Sequence, residues 1–241
     1  MKPLYLDIGN SNVKAAEFTD AGWELVFSKS IWQTDELAGY LQKISSRVIL
    51  VCSVRREISK KLEQQLPEFK FRFIRHSDIP GECINYKTPK TLGIDRFLAC
   101  AGAVAKTSQP AVVVDAGSAC TVDFMTHEFV FQGGVILPGL KVLKQSFKQE
   151  LPELPVPDSE IPAEWPGKST EDSIRWGIYG GYRAVLQKFI RKFKEEYPNS
   201  IVHLTGGDAF TVQKLFGAEE EFSVNPYLLF EGMKEAAERW L

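Results

Sequence analysis

The sequence predicts an α/β protein built from two related halves. Short apolar strands alternate with amphipathic helices along the chain, the pattern of sheets covered by helices. A unit of strand, turn, strand and strand followed by helices occurs twice, beginning near residue 4 and again near residue 111. Each unit also ends its first strand in an aspartate–glycine turn, at Asp7-Ile8-Gly9 and Asp115-Ala116-Gly117. Outside those turns the copies share little sequence, so the repeat is one of architecture.

In the first half, Leu4–Ile8 reads as a buried strand, and Gly9–Asn12 as a tight turn of small and amide residues. Val13–Phe18 returns as a second strand, and Trp23–Ser28 as a third after the Gly22 turn. A helix over Asp35–Ile44 follows, then an apolar strand at Val48–Cys52. Glu57–Leu66 is a helix stopped by Pro67, and Phe71–Ile74 a short strand. Ile79–Lys90 carries Pro80, Gly81, Asn85 and Pro89 and reads as a loop, whereas Ile94–Lys106 spaces Phe97, Leu98, Ala101 and Val104 as a helix does.

The second half repeats the order, with strands at Ala111–Ala116, Thr121–Met125 and Phe129–Leu137 and a helix over Leu140–Gln149. A Pro-rich excursion from Pro152 to Pro166 precedes a long helix within Thr170–Tyr197, thinned by Gly177, Gly180 and Gly181. Ile201–Thr205 is a strand and Ala209–Phe216 a helix. The final helix, Leu228–Leu241, sets Leu229, Met233, Ala236 and Trp240 on one stripe. The helical pattern stops at Thr107-Ser108-Gln109-Pro110, which divides the chain into 1–107 and 108–241, with the last helix free to pack back on the first domain.

Composition narrows the function. Hydrophobic residues make up 44% and charged residues 25%, a globular balance, and the net charge of −2 with dispersed basic residues leaves no nucleic-acid footprint. Cys52, Cys83, Cys100 and Cys120 lack metal-ligand spacing and read as reduced thiols of a cytoplasmic protein. Met1-Lys2-Pro3 leads into a strand already holding Asp7, unlike a signal peptide. Phe97–Ala105, the longest clearly uncharged apolar run, falls far short of the ~20 residues that span a bilayer, so no membrane partner is expected.

The two turns carry the chemistry. Gly9 permits a sharp reversal close to a ligand, and Asn10, Ser11 and Asn12 offer backbone and side-chain donors that can cradle phosphate oxygens. Lys14 adds a cation. Asp7 suits a hydrated Mg²⁺, which takes one or two protein carboxylates plus nucleotide phosphates. Asp115, Gly117, Ser118, Thr121 and Asp123 repeat the design. Either turn alone reads equally well as a hairpin with a strand-end aspartate; equivalent places in a repeated unit favour phosphate binding. Gly133-Gly134 and Thr205-Gly206-Gly207-Asp208 suit close approach of a ligand or of neighbouring backbone.

Tyr86 to Arg96 holds an Asp95-Arg96 pair in the first turn of a helix. The helix dipole alone explains Asp95 there, but it disfavours Arg96. A functional reading explains both: Asp95 accepts a hydroxyl proton and Arg96 binds an anionic group or developing phosphoryl charge. The three histidines are scattered and receive no catalytic role. Lys168-Ser169-Thr170 lacks the spacing of a Walker loop, and Thr170 also fits as the cap of a helix beginning at Glu171.

Seven strings in this order resemble the type III pantothenate kinases of the actin/hexokinase/sugar-kinase superfamily. They are Asp7–Asn12; Tyr86 and Pro89 with Leu92–Arg96; Asp115–Asp123; Gly133–Gly139; Gly167–Thr170; Gly177 with Gly180–Tyr182; and Thr205–Gly207. The resemblance implies two ribonuclease H-like (actin-like ATPase) domains with an ATP cleft between them. It also implies ATP-dependent phosphorylation of pantothenate to 4′-phosphopantothenate, the first step of coenzyme A biosynthesis. By similarity, Asp7, Ile8, Gly9, Asn10, Ser11, Asn12, Val13 and Lys14 hold ATP with Mg²⁺ near Asp7, and Ser118 touches ATP. Asp95 is the general base, and Tyr86, Gly93, Ile94, Asp95, Arg96 and Thr170 contact pantothenate. Asp115 binds a monovalent cation, K⁺ or NH₄⁺, and the family is homodimeric with pantothenate beside the subunit interface. Two positions depart from the family pattern. Cys120 replaces a hydroxyl residue while Ser118 keeps one, and Ser169 precedes Thr170 where the family has asparagine.

Two rival readings predict different residues. A sugar kinase or phosphoanhydride hydrolase would share the turns but not Gly93–Arg96 and Thr170. A regulatory protein on the same fold would have lost Asp95 or the phosphate turns, and this chain keeps both.

Overall fold

Two five-stranded sheets of the same topology account for all ten strands among the described residues of the computed structural model, which are 3–31, 34–44, 48–157, 161–162 and 164–241. Met1 and Lys2, which belong to the signal-peptide reading, lie outside them. The chain divides into two units, one of Met1–Lys106 with Tyr227–Leu241 and the other of Thr107–Pro226.

The sheet of the first unit comprises β1 (Leu4–Ile8), β2 (Asn12–Thr19), β3 (Gly22–Ser30), β4 (Val48–Ser53) and β5 (Lys70–Phe73), in the order β3-β2-β1-β4-β5. β1 pairs antiparallel with β2 and parallel with β4, so its end, Asp7-Ile8, is flanked by Lys14 and Val13 on one side and Cys52 and Ser53 on the other. Alternation of side chains sends Leu4, Leu6 and Ile8 into an apolar cluster with Ile49, Val51 and Leu62. Asp7 therefore projects from the opposite face. Helices α1 (Thr34–Leu41) and α2 (Arg56–Gln65) follow β3 and β4, and α3 (Ile94–Thr107) is buried along almost its whole length. The last helix, α8 (Leu228–Arg239), crosses α3 where two glycines meet. A Cβ at Gly102 would strike the Leu228 carbonyl, and one at Gly232 the Leu98 carbonyl.

The second unit repeats this plan. Its strands are β6 (Ala111–Ala116), β7 (Ala119–Met125), β8 (Phe131–Pro138), β9 (Ile201–Thr205) and β10 (Ser223–Val224), in the order β10-β9-β6-β7-β8. β6 pairs antiparallel with β7 and parallel with β9, as β1 does with β2 and β4. Val112, Val114, Ala116, Cys120 and Val122 enter the core with Leu204 and Tyr182. Asp115, Thr121 and Asp123 occupy the other face, with Asp115 opposite Thr121. Helices α4 (Leu140–Glu150), α5 (Thr170–Arg175), α6 (Gly181–Glu196) and α7 (Ala209–Phe216) complete the unit.

Three differences from the sequence reading have local causes. The long helix expected within Thr170–Tyr197 widens into a π turn at Trp176–Gly180, between α5 and α6. That turn holds two of the thinning glycines, and the Trp176 ring lies where a Cβ at Gly180 would sit. The cap of α5 is Ser169, whose Oγ accepts the Asp172 N–H at 3.1 Å, so Thr170 is the first helical residue. β10 is two residues long, too short to register as a period-2 pattern.

Candidate active site

In the first unit the turn after β1 is closed by the Gly9 N–H donating to the Asn12 carbonyl at 3.0 Å. It is braced from both sides, because the Ile31 N–H donates to the Ser11 carbonyl and the Val54 N–H to the Ile8 carbonyl. Asn10, Ser11 and Asn12 are exposed at its tip, while Asp7 and Lys14 are half-buried beside each other in the ladder.

Asp95 stands at the first turn of α3. Its Oδ1 accepts the Arg96 N–H at 2.9 Å. Burial pushes its carboxyl above the ordinary carboxylate value, opposed by that N–H, the Arg96 guanidinium and the charge of His76. Arg96 is itself 8% exposed, so the Asp–Arg pair is part of the interior and not a surface ornament. A Cβ on Gly93 would press on the Asp95 carboxylate, so glycine there leaves that side of the carboxylate open.

The Cys52 thiol connects the turn to Asp95. It is fully buried, and its pKa is raised by burial and then by the negative charges of Asp7 and Asp95 together. Both carboxylates thus act on one sulfur, which brings the phosphate-turn aspartate and the helix-start aspartate into one neighbourhood of the first unit. Sequence reasoning assigned neither Cys52 nor His76 a role. His76 opens a short 3-10 turn and bonds the Leu92 carbonyl through Nε2, bracing the backbone just before Gly93. Its separation from Asp95 in sequence hid that relation. Tyr86 is half-buried in the loop ahead of α3.

In the second unit the turn after β6 closes through the Gly117 N–H and the Ala119 carbonyl at 3.2 Å. The Gly139 N–H donates to the Ser118 carbonyl, and the Asp208 N–H to the Ala116 carbonyl, each at 2.9 Å. Three of the glycine strings are therefore one structure. Gly206 has φ +95°, and a Cβ there would lie 2.5 Å from both the Ala116 backbone and Asp115 Oδ1, so only glycine permits this close approach of the two turns. Ser118 is exposed at the tip. Thr170 lies outside this cluster, exposed at the start of α5. Cys120 faces the core, where burial, opposed by the Tyr182 hydroxyl, pushes its thiol to about 12. The departure at position 120 thus lies on the sheet face opposite Asp115.

A cleft of about 610 Å³ opens beside this second turn, lined by Leu140, Lys141, Lys144, Tyr179, Asp208 and Thr211 among others. Burial raises the Asp208 carboxyl, and Lys141 and Lys144 draw it back. The sequence marked this place by Thr205–Asp208, but not by its lysines. Lys141, Lys144 and Lys148, spaced three and four apart on α4, are the signal that would have found them. Among the described residues no three His, Cys, Asp or Glu side chains gather as a metal cage, and no helix is long and apolar enough to cross a membrane.

The family profile described as type III pantothenate kinase matches residues 3–192. A type III pantothenate kinase of Flavobacterium johnsoniae is 32% identical over 215 residues, covering 86% of each chain. One from Akkermansia muciniphila is 28% identical across 97% of this chain and 98% of its own. Among solved structures, a protein of Campylobacter jejuni described as a Baf family transcriptional activator superposes with a TM-score of 0.67 at 24% identity, over 98% of this chain and 97% of its own. An archaeal actin homologue superposes with a TM-score of 0.51 at 11% identity, over 99% of this chain and all of its own, and these likenesses establish an actin-like ATPase fold.

Proposed function

The chain belongs to the type III pantothenate kinase family, and from that premise we propose how its residues move a phosphoryl group from ATP to pantothenate, with Asp95 as general base. The product, 4′-phosphopantothenate, feeds coenzyme A synthesis. The observation that supports the assignment is the buried Asp95–Arg96 pair at the start of α3, in the same unit as the Asp7 turn.

Asp95 takes the proton of the pantothenate hydroxyl as its oxygen attacks the γ-phosphorus in line with departing ADP. Burial makes the carboxylate a stronger base, while the Arg96 N–H and guanidinium keep it ionised enough to act. Arg96 also binds the acceptor's anionic end, and Tyr86, Gly93, Ile94 and Thr170 shape its seat. Positioning supplies most of the remaining acceleration.

In the first unit Asp7 to Lys14 hold phosphate oxygens. In the second, Ser118 touches the nucleotide, and the cleft beside Asp208 and Thr211 takes its base and ribose. Mg²⁺ and a monovalent cation, when bound, neutralise phosphate charge. The half-buried Asp7 suits the first, since one carboxylate with phosphates and water is the usual Mg²⁺ shell. Asp115, at the end of β6 on the sheet face away from the core, suits K⁺ or NH₄⁺ as a carboxylate ligand. The enzyme works as a cytoplasmic homodimer, a state that sedimentation can test.

ADP release measured with pantothenate, with sugars and with no acceptor, each with and without K⁺, tests the function. Release that ignores pantothenate overturns it.

A further inference from the structure

We propose that the first unit carries a second anion site, a cleft beside the start of α2 that binds a small phosphate ester apart from the phosphates being transferred. The cleft measures about 510 Å³ and is lined by Arg56, Lys60, Arg75 and Lys90, with Glu63 as its one carboxylate. Among the described residues none of those four cations is ion-paired. The four are exposed to solvent, and their summed positive field favours an anion in the hollow they line.

The helix start adds a second reason. No side chain caps α2, and Arg55 and Arg56 stand where the helix dipole disfavours positive charge, with Glu57 the one acidic residue of the first turn. Both facts suit a bound anion, which accepts the first N–H groups and offsets the arginines. The local backbone is held in readiness. Ser59, 8% exposed, donates from Oγ to Ser53 Oγ at 2.8 Å, and Ser53 Oγ accepts the Arg55 N–H at 3.1 Å. Arg75 is steadied over the Phe73 ring, with its guanidinium carbon 5.9 Å from the centroid.

Two features define the ligand. The volume exceeds what an inorganic ion fills and lies in the range of small-molecule pockets. Phe73 and Ile74 supply an apolar wall for an organic body behind the phosphate, and Ile94, which the proposed pantothenate seat also uses, bounds the cleft on the α3 side. The site is separate from the Asp7 turn because Cys52, which feels Asp7 and Asp95, and Ser53, which lines the cleft, are consecutive in β4 and project from opposite sheet faces.

The test is calorimetric titration of the whole protein, its active site held saturated with ADP and pantothenate, with inorganic pyrophosphate and with 4′-phosphopantothenate, in wild type, in Arg56→Ala/Arg75→Ala and in Lys60→Glu. Loss of two charge-assisted contacts is expected to weaken one binding event per chain by roughly tenfold or more in the double variant. Lys60→Glu removes that event, and both variants keep kcat/KM for pantothenate within about twofold and the melting temperature of wild type. Tighter binding of 4′-phosphopantothenate than of pyrophosphate identifies the ester's body as part of the ligand, while equal affinities identify the phosphate groups alone. Unchanged titrations in both variants, or no saturable binding of either probe to wild type, overturn the proposal.

Discussion

Replacing Asp95 by Asn separates catalysis from stability at one atom. Asn keeps an oxygen to accept the Arg96 N–H, so the first turn of α3 retains its 2.9 Å bond, and only the proton acceptor is lost. A general base contributes ~10²–10⁴-fold, or about 2.7–5.5 kcal/mol of barrier, and kcat is expected to fall by that factor. Stability should move the other way. The Asp95 carboxyl is raised from 3.8 by burial, so between 3.8 and its folded value the folded chain holds a proton that the unfolded chain has released. Stability therefore falls as pH rises through that window and stays lower above it. Asn removes this penalty, and the variant should melt no lower than wild type near neutral pH. The same shift places the acid limb of kcat/KM above 3.8 in wild type. Steady-state ADP release and calorimetric melting across pH read both effects. Turnover within tenfold of wild type in a folded variant refutes Asp95 as the base.

Four further outcomes follow from contacts already described. Gly93→Ala pushes a Cβ against the Asp95 carboxylate and should cost on the order of 10² in kcat with little change in melting temperature, since a side-chain tip yields more readily than backbone. Gly232→Ala meets the Leu98 carbonyl in the α3–α8 crossing and should lose ~1–3 kcal/mol or more in urea denaturation. Lys14→Ala should raise KM for ATP and leave KM for pantothenate nearly unchanged in initial-rate kinetics. Cys120→Thr offers the buried Tyr182 hydroxyl a hydrogen-bonding partner in place of the thiol and should shift stability by ~1 kcal/mol or less, without altering the K⁺ dependence of turnover.

The repeat was legible because strand periodicity and turn chemistry are local. β1, β6, β9 and α7 fall where apolar runs and glycines predict them. The misses lie where local signals are weak or compete. β10 is too short to show alternation, and the helix pattern across Trp176–Gly180 gives no hint of a π turn beyond its glycines. Ser169 and Thr170 are both competent caps, and only the backbone decides between them.

Proximity is the part of the site that a linear reading could not supply. Asp7, Cys52, His76 and Asp95 come from β1, β4, a 3-10 turn and α3, and parallel pairing of β1 with β4 sets Asp7 against Cys52. The same pairing explains why Cys52 is a cysteine of the interior and not a reactive one. A thiol there is buried beside two carboxylates, which hold it protonated and so poorly nucleophilic at neutral pH. A thiolate at that position would be a third negative charge beside the one that Asp95 must keep. An apolar or protonated group is thus what the neighbourhood of a buried base requires, and Cys52→Ser, which keeps the size but not the apolar character, is a sharper probe of Asp95 basicity than Cys52→Ala.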